Sequence, residues 1–121
     1  MAKNFIAEGD VLLWTNSTGA AVVSGQVVKV GQILGVAAVD IANGASGSVM
    51  TCGVFELPKK SSAVITQGMA LLWDVSAGNF DVGSATPATG DVSGVAFAYE
   101  AAGNGATTVK VHLDERIGTV A

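Results

Sequence analysis

The chain has 121 residues and a formal net charge of −4; only 13% of residues are charged while 50% are hydrophobic. That length holds one domain and no second independent core. The balance excludes a nucleic-acid surface, which needs clustered Lys and Arg, and it excludes disorder, which pairs low hydrophobicity with high net charge. The single cysteine excludes an internal disulfide framework.

From the N-terminus, no basic stretch followed by an apolar one reads as a secretory leader. Residues 1–5 read as a free arm. The longest uncharged stretch, Val11 to Val28, contains Asn16, Ser17, Thr18, Gly19, Ser24, Gly25 and Gln26, which makes it too polar for a membrane span. The expectation is a soluble intracellular protein with neither a membrane nor a nucleic acid as partner.

Within the chain the signals are for short strands and turns. Val11–Thr15 and Ala70–Trp73 are apolar runs that read as strands buried on both faces. Gln26–Val30 and Ile33–Val39 read as two strands divided by a turn at Gly31, and Val54–Leu57 as a strand ended by Pro58. Val109 to Asp114 alternates, with Val109, Val111 and Leu113 on one face and Lys110, His112 and Asp114 on the other.

Turn chemistry marks Asn16-Ser17-Thr18-Gly19, Asn43-Gly44, Ala77-Gly78-Asn79 and Gly103-Asn104-Gly105, and Ser84–Asp91 reads as a loop. Helix is supported only over Val39–Asn43 or Phe97–Ala102, and there for a turn or two.

Residues 6–44 align without gaps to residues 65–103 with fourteen identities, among them Leu12-Leu13-Trp14 with Leu71-Leu72-Trp73 and Gly35-Val36-Ala37 with Gly94-Val95-Ala96. Read as an internal repeat, the alignment predicts one β domain over 1–121. Its fold would be mainly β with little helix, a small barrel or sandwich built from two duplicated units of roughly 60 residues, each too small to bury its apolar face alone. Trp14, Trp73, Phe55 and Val111 are the expected core residues.

Chemistry is hard to assemble from these residues. His112 is the only histidine and sits on a polar strand face, where a solvent-facing role outweighs a general base. Cys52 has no basic neighbour to activate it and is expected to be a buried, inert thiol. No Cys or His cluster has metal-ligand spacing, and no nucleophile elbow, P-loop or dinucleotide fingerprint occurs. The expectation is no enzyme, no metal and no cofactor.

The order of several motifs resembles the head decoration, or cement, proteins of tailed phages. The stretches that carry it are Gly9-Asp10, Ser24-Gly25, Val30-Gly31, Gly35-Val36-Ala37, Asp40-Ile41-Ala42-Asn43-Gly44, Trp73-Asp74, Gly94-Val95-Ala96 and the strand Val109–Leu113. The most specific is Gly53-Val54-Phe55-Glu56-Leu57-Pro58-Lys59. His112 stands where such proteins more often have a basic residue, and the tail from Asp114 to Ala121 is longer than expected.

The resemblance implies a structural virion protein, made in the host cytoplasm. It would bind the outside of the capsid as a homotrimer, with the major capsid protein as its partner. On that reading Ala2, Lys3, Asn4 and Phe5 of the arm are the expected capsid contacts, with Phe5 as apolar anchor. A ligand- or glycan-binding β module, or a tail-associated component, is the alternative.

Overall fold

The short Val- and Thr-rich runs become strands. In the computed structural model, which describes residues 3–4, 6, 9–114 and 117–121, these are β1 (Val11–Thr15), β2 (Val27–Val30), β3 (Ile33–Ala37), β4 (Ser46–Met50), β5 (Cys52–Pro58), β6 (Ala70–Asp74), β7 (Asn79–Val82), β8 (Val92–Ala98), β9 (Thr108–Asp114) and β10 (Thr119–Val120). The described residues contain no helix, so Val39–Asn43 and Phe97–Ala102 form none. The mainly-β expectation holds.

Two antiparallel sheets divide the chain. The smaller has the order β1-β4-β3-β2; the larger has the order β5-β9-β8-β6-β7, with β10 pairing the start of β8. The β2–β3 hairpin turns on Gly31-Gln32, a two-residue loop whose twist requires a positive φ, and Gly31 supplies it at 59°. The chain passes from one sheet to the other at Thr51. That residue is buried, and its hydroxyl donates to the carbonyls of Gly9 and Asp10 at 3.2 and 3.1 Å.

Because directly opposite residues of antiparallel strands share a face, the register sorts the side chains. On the small sheet, Val27 lies opposite Val36 and Val36 opposite Met50. Val27, Leu34 and Val36 pack into the large core together with Leu71, Trp73, Phe80, Val92, Val109, Val111 and Leu113 of the large sheet. On the reverse face, Val28, Ala37 and Val49 meet Val22 and Ile41 in a second, smaller core. The loops carrying Val22 and Ile41 are joined by a bridge between those two residues. Each fully buried aliphatic side chain contributes about 1.5–3 kcal/mol relative to exposure.

At Gly47 this second core approaches the backbone closely, since a Cβ there would run into Ile41. The absence of a side chain at 47 lets the loop close over the sheet.

The aligned halves coincide at β1 with β6 and at β3 with the first part of β8, yet the neighbours differ. β1 pairs β4, whereas β6 pairs both β7 and β8. The expectation that Val11–Thr15 is buried on both faces is therefore corrected. β1 is an edge strand, with Val11, Leu13 and Thr15 exposed and Leu12 and Trp14 half-buried.

Candidate functional site

Among the described residues four polar ones are buried, and each ties a loop to the sheets. Asn16, at the end of β1, uses its whole amide: Nδ2 donates to the carbonyls of Ala20 (2.8 Å) and Ile41 (3.0 Å), and Oδ1 accepts from the N–H and hydroxyl of Thr18 (3.0 and 2.7 Å). Asp91 accepts from the Val75 N–H at 3.2 Å and the Ala88 N–H at 2.9 Å, which closes the 84–91 loop against the end of β6. Thr51 holds the crossing described above.

Lys59 is the unexpected member. Its ammonium donates to the carbonyls of Lys60 (2.7 Å), Ser61 (3.3 Å) and Ala106 (3.0 Å). A buried cation is costly unless its protons are bonded; here three carbonyl dipoles satisfy it, and the 60–61 turn is clamped to the loop before β9. This accounts for the Gly53–Lys59 motif. Leu57 fills the large core, Phe55 packs half-buried against it, Val54 and Glu56 face outward, and Pro58 and Lys59 close the strand into the clamp. Sequence reasoning missed Lys59, because a lysine following proline carries no signal of burial.

The residues expected in the core occupy different depths. Val111 and Trp73 are in the large core, where Trp73 meets Phe80 edge-on at 4.8 Å. Phe55 is half-buried against that core, and Trp14 is half-buried against the smaller one. Of the arm residues, Lys3 and Asn4 are exposed in a turn; Ala2 and Phe5 lie outside the described residues.

The expectation of a buried Cys52 is corrected, since Cys52 is exposed. In β5 it shares the outward face with Val54, Glu56 and Pro58, opposite Leu57.

The outward face of the large sheet carries a row of directly opposed residues, Val54, His112, Phe97 and Ala70. His112 stacks on Phe97 with ring centroids 4.7 Å apart, and its Nδ1 is buried without a hydrogen-bond partner. Beside it, Lys110 pairs with Glu100 at 3.1 Å, and that carboxylate holds the Lys110 ammonium above its usual range.

Gln67, Tyr99 and Glu100 complete a shallow depression of about 390 Å³ over this row. No nucleophile–base pair stands in it. No group of three or more His, Cys, Asp or Glu among the described residues is placed to hold a metal ion.

What the molecule presents instead is apolar surface with few charges. Val11, Leu13, Val23, Val39, Val54, Val64 and Tyr99 are exposed, spread over both sheets and their loops. Such surface loses little on desolvation against another protein.

Residues 6–113 match a family model described as phage cement protein. The chain belongs to that family. Comparison with curated proteins finds no match. The cement family is one of phage structural proteins and not typically of enzymes; membership associates this chain with the capsid of a virion. For a cement protein the exposed apolar residues are the features of interest.

Proposed function

We propose that this protein binds the outer surface of a phage head and holds neighbouring capsid subunits together, with the major capsid protein as partner and a homotrimer as the binding unit. The match to the cement family over residues 6–113 is the observation that carries the reading. The low charge and the exposed aliphatic side chains of both sheets support it. Contacts that are individually weak act with avidity when repeated over a lattice. Synthesis in the host cytoplasm, before addition to the head, belongs to the same reading.

The arm comprising residues 2–5 is the proposed capsid contact, ordering on the shell and adding main-chain pairing to a capsid edge, with Phe5 as anchor. Purified protein mixed with heads lacking it should add density on the outer surface at threefold and quasi-threefold positions. Deleting residues 2–5 should weaken that binding and leave the thermal unfolding midpoint of the isolated protein unchanged. Failure of the intact protein to bind heads would overturn the reading, and unchanged binding by the deletion variant would overturn the role of the arm.

A further inference from the structure

β1 ends the small sheet, and among the described residues no strand pairs its outer side. The hydrogen-bond phase of this edge can be fixed. The Thr51 N–H donates to the Asp10 carbonyl at 2.9 Å and the Asn16 N–H to the Ala45 carbonyl at 2.8 Å, so both flanking pairs belong to the bonded class of the antiparallel ladder. Bonded and non-bonded pairs alternate. Leu12 and Trp14 therefore exchange bonds with Val49 and Gly47, their register partners. Val11, Leu13 and Thr15 turn their N–H and C=O groups to the open side.

The same three residues carry the exposed side chains, with Leu13 at 74% and Val11 at 51% exposure. Natural edge strands are usually blunted by a charge, a proline or a bulge. The strand Val-Leu-Leu-Trp-Thr has neither charge nor proline, and its register against β4 runs unbroken over all five residues.

We propose that β1 is a self-pairing edge, at which two copies of this chain join antiparallel across a twofold centred on Leu13. In that register Leu13 faces its own copy and Val11 faces Thr15 of the other chain. All three outward-facing residues fall in bonded pairs, which gives up to six main-chain hydrogen bonds. On one face the two Leu13 side chains lie side by side, flanked by Val11 and Thr15. On the other face, Leu12 of each copy meets Trp14 of the other. A register displaced by one residue would bring bonded groups against non-bonded ones, and one displaced by two would keep the phase with only two of the three bonded pairs.

A second copy is the favoured occupant because the edge is complementary to itself in phase and in side-chain character. The strand's lack of charge also means that pairing two acidic chains here places no like charges opposite each other. Two five-residue strands bury less than the roughly 1,000 Å² expected of a stable free-standing complex. The contact is accordingly weak in dilute solution and gains force where copies are held close together. It does not depend on head binding and is read in purified protein.

Residue-resolved amide hydrogen exchange of the unmodified protein, in dilute and concentrated samples, tests it. The amides of Val11, Leu13 and Thr15 should exchange at least about tenfold more slowly in the concentrated sample, while those of Leu12 and Trp14, already bonded to β4, stay unchanged. A Cys52→Ser, Leu13→Cys variant should form a covalent dimer on oxidation, since bonded pairs hold Cα atoms about 5.5 Å apart; Cys52→Ser, Val23→Cys should not.

Exchange at Val11, Leu13 and Thr15 that is independent of concentration overturns the proposal, as does equal cross-linking of the two cysteine variants. Protection that appears only when heads are added, with no Leu13→Cys cross-link between copies on the head, would assign the edge to a capsid strand instead, which equally overturns self-pairing.

Discussion

The same three residues, Leu-Leu-Trp, occupy β1 as Leu12–Trp14 and β6 as Leu71–Trp73, and the two strands meet opposite environments. In β6 all three are buried, because β7 and β8 pair both sides of the strand and the small sheet packs over Trp73. In β1 the middle leucine is exposed and its neighbours half-buried, because only β4 lies alongside. Identical side chains thus stabilise the fold in one place and remain available as surface in the other. Position within the sheet decides which.

The largest effect should come from truncating the middle residue of each triplet. Leu72→Ala removes a side chain that is 2% exposed and is expected to cost about 2–5 kcal/mol of unfolding free energy. Leu13→Ala should stay within about 0.5 kcal/mol. Denaturant unfolding of both variants checks this. Equal losses would mean that β1 is covered in the free protein and that the contrast between the two strands is false.

The turns that follow the two strands offer the next comparison. After β1, a buried amide, Asn16, makes four hydrogen bonds; at the end of β6, a half-buried residue, Asp74, accepts from the Ser76 N–H and hydroxyl and the Ala77 N–H. Asn16→Ala removes the amide's bonds to the Ala20 and Ile41 carbonyls and to Thr18, leaving Ile41 only the Val22 N–H, and loosens the loop that covers the second core. A loss of about 1–3 kcal/mol is expected, from the hydrogen bonds that disappear with the amide. Thermal unfolding measures it. A loss no larger than that of a surface substitution would show that the 16–22 loop is not held by this residue.

Periodicity and turn chemistry made much of the fold legible. The alternation of Val109, Val111 and Leu113 predicts the core face of β9, and Gly31, Asn43-Gly44 and Gly103-Asn104-Gly105 mark real turns. What periodicity cannot express is which strand lies at an edge. An apolar run such as Val11–Thr15 looks the same whether it has one neighbour or two, so Leu13 was expected inside.

Cys52 failed for a related reason. Its face is set by the phase of β5, in which Leu57 points inward, and a short Gly-rich context hides that phase. Lys59 was illegible because its burial depends on carbonyls contributed by Ala106, far along the chain. The family motif around it could be recognised in the sequence, but its physical basis required the fold.

The smallest effect separates the two turns by pH. The Ser76 hydroxyl, the Ala77 and Ser76 N–H groups and, more distantly, Lys60 hold the Asp74 carboxyl below its usual range, although partial desolvation opposes them. Asn16 has no charge to titrate. A carboxylate whose folded value is depressed binds fewer protons in the native state than in the unfolded chain. Its stabilisation is present above the unfolded value, near pH 4, and is lost as pH falls through the lower folded value.

Asp74→Asn should therefore remove part of the acid dependence of stability below about pH 4 and leave the dependence near neutrality unchanged. Asn16→Ala should lower the whole curve without changing its shape. Because Asp74 is only half-buried the difference will be small, and added salt should diminish only the contribution from Lys60. Unfolding midpoints of wild type and Asp74→Asn that run parallel throughout the acid range would show that this turn contributes nothing through its charge, leaving the contrast between the two strands to packing alone.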